Sequence, residues 1–174
     1  MRIISGSLKG KKISFVKNTD TRPLKDSVRE NIFNILKHSS ILDVKLEKAK
    51  ILDLYSGIGS FGVECISRGA SNVTFVEKNR KTFLILKKNL IDLSINSKAD
   101  LFNDCVDEAL NKNRNKKYDI FFIDPPFLDK NLVQNLNFLK RNKMFKKKHL
   151  LILHREKKTV DNFDTNINII KIKN

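Results

Sequence analysis

The sequence predicts an α/β fold, a mostly parallel sheet with helices on both faces, and three observations carry that prediction. From residue 50 onward, short β-rich runs alternate strictly with amphipathic segments. A glycine-rich turn follows the first run, and the fourth run, Ile120-Phe121-Phe122-Ile123, is apolar throughout, as a buried strand is. Parallel neighbours need crossover connections, which places the helical segments between the strands.

The elements follow in order. Residues 1–23 lack helical periodicity and hold two β-compatible pieces, Arg2 to Ser5 and Lys12 to Val16, around Gly6 and Gly10. They read as a basic hairpin or arm. Pro23 stands where a helix can start, and Val28, Ile32, Ile35 and Leu36 share one face, so a helix is expected over about residues 25–38. Strands are expected at Ile51 to Tyr55, Asn72 to Glu77, Ala99 to Asn103, Tyr118 to Asp124 and His149 to His154. Helices are expected around 60–68, 79–94, 105–112 and 129–140, and the alternation from Asn166 to Lys173 reads as a final edge strand. The chain of 174 residues has room for one domain, an arm over 1–23 and a core over 24–174.

Charge narrows the partners. Lys and Arg number 35 against 19 Asp and Glu, a net charge of +16, and an excess of that size points to a polyanion such as nucleic acid. The first 50 residues hold 12 basic and 5 acidic side chains, the next 50 hold 7 and 5, and the remainder 16 and 9. The excess therefore sits at the two ends, with Lys9, Lys11 and Lys12 in the arm and Lys146-Lys147-Lys148 near the other end as the candidate phosphate contacts. No apolar run approaches a membrane span and no apolar signal core follows Met1, so a cytoplasmic protein with no membrane partner is expected. Cys65 and Cys105 stand alone, without a CxxC partner, and are expected to act as small buried apolar residues. His38, His149 and His154 are scattered; none receives a role, and no metal site is expected.

Two segments carry chemistry. Asp53-Leu54-Tyr55-Ser56-Gly57-Ile58-Gly59-Ser60-Phe61-Gly62 ends the first strand and opens a helix, and its glycines match GxGxxG. Glu77 closes the second strand twenty residues after Gly57, where an acid accepts from ribose hydroxyls, so a nucleoside-containing cofactor is implied. NAD and S-adenosylmethionine compete. Asp53 would repel a pyrophosphate yet could hold the ammonium of a methionine moiety, and Tyr55 and Ser56 intervene before the first glycine, which favours S-adenosylmethionine. Asp104 could then accept from the adenine amino group, or else serve as a helix N-cap.

The second segment is Asp124-Pro125-Pro126-Phe127, directly after the fourth strand. Two prolines fix the backbone and donate nothing, so the loop presents acceptors, the Asp124 carboxylate and the Pro125 carbonyl. Two acceptors holding both hydrogens of an exocyclic base amine would help it become tetrahedral and would stabilise charge as it attacks a methyl sulfonium. Phe127 could stack on the base. The chemistry by itself reaches amino methylation of a nucleic-acid base.

Together these residues resemble the RsmD family of bacterial methyltransferases, which modify a guanine N2 in 16S ribosomal RNA. The likeness spans about 155 residues: Arg2-Ile3-Ile4-Ser5-Gly6 with Lys9-Gly10, Thr21-Arg22-Pro23 with Asp26 and Val28-Arg29-Glu30, the Asp53 to Gly62 loop, Ser67-Arg68-Gly69-Ala70, Phe75-Val76-Glu77 and Asp124 to Phe127. The resemblance implies a class I, Rossmann-like methyltransferase fold, S-adenosylmethionine as donor, an arm that grips RNA, and a role for Arg22, Asp26 and Arg29 in shaping the target pocket. It also implies a small ribosomal subunit, or an intermediate in its assembly, as the partner; the protein itself is expected to be a monomer. Leu24 replaces a usual threonine and Phe127 a common tyrosine. The chain stops at Asn174, where relatives continue through a Tyr-Gly turn, so a sheet short of one edge strand is expected. Two other readings stand beside this one: an adenine-N6 methyltransferase, which shares the Asp-Pro-Pro-Phe loop, and a non-catalytic basic RNA-binding assembly protein.

Overall fold

A computed structural model describes residues 1–15, 24–126, 129 and 131–155. The expected edge strand over 166–173, Arg22 and Phe127 lie outside the described residues. Helix α1 (Asp26–His38) precedes an alternating series: β1 (Lys50–Leu54), α2 (Ser60–Ser67), β2 (Asn72–Val76), α3 (Arg80–Asp92), a short 3-10 turn, β3 (Ala99–Phe102), α4 (Val106–Lys112), β4 (Tyr118–Ile123), α5 (Leu132–Arg141) and β5 (Phe145–Leu153).

Among the described residues all four strand pairings are parallel, in the order β3-β2-β1-β4-β5. The chain builds outward from β1 in one direction and then restarts beside it with β4. In open sheets of this order ligands generally bind beyond the carboxyl ends of the strands, at the switch point between β1 and β4.

Period-two alternation sends successive strand side chains to opposite faces, and each face has its own core. Ile51, Val73, Phe75, Ile120 and Phe122 pack with Phe33 of α1, Phe61, Val63 and Ile66 of α2 and Phe83, Leu86 and Leu90 of α3. Leu52, Leu54, Val76, Phe121 and Ile123 pack with Val106, Ala109 and Leu110 of α4 and Leu132, Leu136 and Leu139 of α5. The helices on both faces are therefore where the alternation places them.

Several expectations need correction. The first fifteen residues do run antiparallel to one another, with Ile3 N–H donating to the Lys11 carbonyl and Ile13 N–H to that of Met1, but only Arg2 and Lys12 form a bridge and no strand develops. Apolar anchors Ile3, Leu8 and Ile13 bury against the sheet's helices instead, which makes the segment a strap. Strand β5 begins at Phe145, four residues earlier than expected, so the Lys146-Lys147-Lys148 run lies in its first half, at the amino end of the sheet. There Lys146 pairs with Asp119 and Lys148 with Asp43. Cys105 is only half-buried, unlike Cys65.

Candidate active site

The carboxyl ends of four adjacent strands bring the candidate acids together. Asp53 lies on β1, Glu77 directly follows β2, Asp104 follows β3 by two residues, and Asp124 directly follows β4. Asp124 and Glu77 are close enough to Asp53 to raise its proton affinity.

Asp53 is enclosed. Its Oδ2 accepts the Gly62 amide at 3.1 Å, while Oδ1 has no partner among the described residues. Burial, with the charges of Asp124 and Glu77, pushes its carboxyl well above the usual range, although the Gly62 N–H pulls the other way. A buried carboxylate oxygen without a donor is a costly group that a ligand cation would satisfy. That orphaned oxygen fits the ammonium of S-adenosylmethionine.

Glu77 is held by the loop it faces. Gly57 N–H donates to Oε2 at 2.8 Å and Asn79 N–H to Oε1 at 2.7 Å, so the carboxylate is oriented while each oxygen keeps a free lone pair. Burial raises its pKa against those two amides. Gly57 takes a φ of 57° with open space where a side chain would stand, consistent with a backbone a ligand can approach. Gly59 serves packing instead: a Cβ there would fall 2.4 Å from Leu86 Cδ1.

The other candidates behave differently. Ser56 is buried, and both its N–H and its hydroxyl donate to the Val76 carbonyl, tying the end of β1 to β2. Tyr55 leaves the strand with a φ of 63°, and its hydroxyl donates to Asp129 while accepting from Asn135 of α5. Burial, then Asp129, raises its pKa. This contact links the cofactor-side loop to the segment after Asp-Pro-Pro. Asp104 does not cap a helix: the N-cap of α4 is Cys105, and both Asp104 oxygens pair with Lys112 at 2.8 Å.

The N-terminal candidates divide. Lys9, Lys11 and Lys12 are exposed. Arg29 corrects the expectation of a pocket residue, since it is fully buried and its guanidinium donates to the Arg2 carbonyl at 2.7 Å and to Asp26 at 2.9 Å. Asp26 supports Arg29 from the surface, and the pair fastens the strap to α1.

Sequence reasoning missed the polar residues that join the strap to the core. Glu64 of α2 is fully buried and accepts from Ile4 N–H at 2.8 Å, Ser5 N–H at 2.9 Å and Arg68 Nε at 2.7 Å. Asn89 of α3 exchanges hydrogen bonds with the Ser14 backbone and also donates to the Ile58 carbonyl inside the glycine loop. Both sit in otherwise apolar helix stripes, and that polar interruption was the available signal. The third omission is His154, whose Nδ1 lies 2.8 Å from Asp124 Oδ1.

Among the described residues, no group of three His, Cys, Asp or Glu is placed to hold a metal ion, and no helix is long and apolar enough to cross a membrane. A cavity of about 300 Å³ at the other end of the sheet is lined by Asp43, Glu47, Lys48, Asp119 and Lys148, away from the clustered acids.

An acid on β1 with a glycine turn after it, a second acid after β2 and an Asp-Pro-Pro loop after β4, at the carboxyl edge of a parallel sheet, define a class I, Rossmann-like methyltransferase. Solved structures agree: the Escherichia coli chain yhhF, described as a candidate methyltransferase, superposes with a TM-score of 0.83 at 28% identity, over 98% of this chain and 90% of that one. The Haemophilus influenzae HI0767, a candidate methylase, gives 0.74 at 30% identity, over 98% and 89%. The family model "Conserved hypothetical protein 95" matches residues 1–174. Ribosomal RNA small subunit methyltransferase D of Buchnera aphidicola (Acyrthosiphon pisum) is 38% identical over 156 residues, 90% of this chain and 78% of that protein. Its Haemophilus influenzae namesake is 33% identical over 159 residues, 90% and 79%. The chain belongs to this family, known also as RsmD.

Proposed function

We propose that this protein transfers a methyl group from S-adenosylmethionine to the exocyclic N2 of a guanine in 16S ribosomal RNA, acting as a cytoplasmic, single-domain monomer on the small subunit or an assembly intermediate. The observation that supports it most is the acid cluster at the switch point, with an unpartnered Asp53 oxygen on one side and the Asp124-Pro125 acceptors on the other. The family's RNA-methylating relatives support the substrate class.

When bound, the donor supplies an electrophilic methyl on a sulfonium. Asp53 would hold its ammonium, Glu77 its ribose hydroxyls and the Gly57 backbone its approach, with Asp104 near the adenine end. Asp124 and the Pro125 carbonyl would take the two N–H groups of the target amine. Pro125 is buried and both prolines restrict the chain, so the Pro125 carbonyl and the backbone that carries Asp124 are set before the base arrives. Asp124 would then take the surplus proton of the methylated amine through the same contact. Phe127 would stack on the base, Arg22 and Asp26 would lie near its entry, and Lys9, Lys11 and Lys12 would track phosphates. Arg29 acts by holding the strap.

The test is transfer of labelled methyl from S-adenosylmethionine to unmethylated small subunits, followed by nucleoside digestion. N2-methylguanosine is expected, and Asp124→Ala should lower turnover by on the order of 10²-fold with donor affinity nearly unchanged. Label in N6-methyladenosine would select the adenine alternative, and no label in any nucleoside would select the RNA-binding one.

A further inference from the structure

The Asp-Pro-Pro loop fixes backbone and leaves one freedom open. Proline restricts φ at 125 and 126, but the Asp124 carboxylate can still rotate about its own side-chain bonds, and it is only partly buried. An acceptor that must meet an amine in one orientation loses rate for every other rotamer it visits. Something has to hold it.

His154 is built to do so. It directly follows β5, whose Leu153 pairs with Ile123 of β4, so two hydrogen-bonded strands deliver Asp124 and His154 side by side. The register is carried one residue further by the His154 N–H, which donates to the Ile123 carbonyl at 3.0 Å. The imidazole Nδ1 then lies 2.8 Å from Asp124 Oδ1, while the ring remains partly exposed. Nδ1–H is a donor in the neutral tautomer with that proton and in the imidazolium, so the contact survives titration of the ring.

We propose that His154 is a positioning residue for base methylation: it donates from Nδ1 to Asp124 Oδ1, locks the carboxylate rotamer and leaves Oδ2 to accept the target amine. This rests on the function proposed above. The raised proton affinity of His154, caused first by its hydrogen bond to Asp124 and opposed by burial, agrees with a ring bound to a carboxylate. The arrangement resembles in logic any acceptor oriented by a third group, with the difference that the orienting group comes from the neighbouring strand.

The experiment measures single-turnover methyl transfer to unmethylated small subunits, together with S-adenosylhomocysteine affinity, for wild type, His154→Ala, His154→Asn, Asp124→Ala and the His154→Ala/Asp124→Ala double variant. A lost hydrogen bond to a charged group corresponds to a loss of about tenfold in turnover for His154→Ala, with donor affinity within twofold. Asparagine places an amide donor near the Nδ1 position, so His154→Asn should recover most of the rate. In the Asp124→Ala background the histidine change should cost nothing further, since there is no carboxylate left to hold. Turnover of His154→Ala within twofold of wild type, or losses that add in the double variant, would overturn the positioning role.

A separate readout distinguishes this role from the reaction itself. In ¹⁵N-labelled protein the His154 Nδ1 proton should be protected from exchange, and Asp124→Ala should remove that protection. Protection with an inert wild type refutes the reaction and the role with it. An active wild type without protection refutes the role alone.

Discussion

Replacing Glu64 by alanine should loosen the N-terminal strap from the core, and the size of the effect can be worked from its hydrogen bonds. The carboxylate is fully enclosed and holds two backbone amides, at 2.8 and 2.9 Å, and Arg68 Nε at 2.7 Å. A hydrogen bond to a charged group contributes about 1.5 to 3 kcal/mol, and removing the acceptor also orphans the donors. Ile4 and Ser5 are only half-buried, so water can recover part of that loss, and Arg68 keeps its place over the Phe33 ring at 4.4 Å from the centroid. The expected net loss for Glu64→Ala is about 3 kcal/mol, near the range seen when one partner of a buried charge pair is removed. Glu64→Gln keeps the volume and one acceptor oxygen and should lose about half as much. Urea titration at neutral pH gives both numbers, and hydrogen exchange at the Ile4 and Ser5 amides reports the strap directly. A Glu64→Ala loss below about 1 kcal/mol with unchanged denaturant slope, or unaltered exchange at those two amides, would refute the assignment of Glu64 as the anchor.

Asp53 predicts a pH dependence. Burial raises its carboxyl well above the usual range, so in the free protein a window exists where it is protonated and offers no charge to an ammonium. S-adenosylhomocysteine affinity should therefore rise with pH through that window, with proton release on binding, and then level; calorimetry at a series of pH values above the usual carboxylate range that shows a flat wild type refutes it. By the same sign, an acid bound more tightly to its proton in the folded state loses stability as pH rises from its unfolded pKa to its folded one, so Asp53→Asn should raise the Tm of the ligand-free protein at neutral pH. The glycine loop gives a paired test. Both glycines take positive φ, so either alanine carries about 1 to 2 kcal/mol of backbone strain; Gly59→Ala also presses on Leu86 and should lose about 1 to 3 kcal/mol more, whereas Gly57→Ala meets open space, should lose only the strain, and should weaken donor binding. Equal effects of the two on melting would contradict their separate roles. Neutralising Lys9, Lys11 and Lys12, all exposed, should flatten the log affinity for RNA against log salt by up to about 0.7 to 0.9 for each phosphate that loses its lysine, and an unchanged slope would move the RNA face off the strap.

Local pattern in the sequence determined the alternation of strands and helices, the turn from Asp53 to Gly62, the acid after the second strand and the acceptor loop at Asp124. These are legible because each depends on neighbours within one turn or one strand: side-chain period, glycine at a strand end, proline beside an acid. Tertiary structure decided what depends on residues far apart in the chain. Arg29 looked like a surface or pocket residue until the Arg2 carbonyl, 27 positions away, closed over it. Glu64 and Asn89 interrupt apolar stripes, and only the packed strap, about 60 and 75 residues distant, explains what they bind. The Lys146-Lys147-Lys148 run looked like a phosphate track, yet strand register put it at the amino end of the sheet beside Asp119 and Asp43. His154 carried no signal because its partner is thirty residues earlier on another strand. The reason is common to all of these: a charged or polar side chain states its need for a partner in the sequence, but the long connections of the fold, with dozens of residues between adjacent elements, determine which partner arrives.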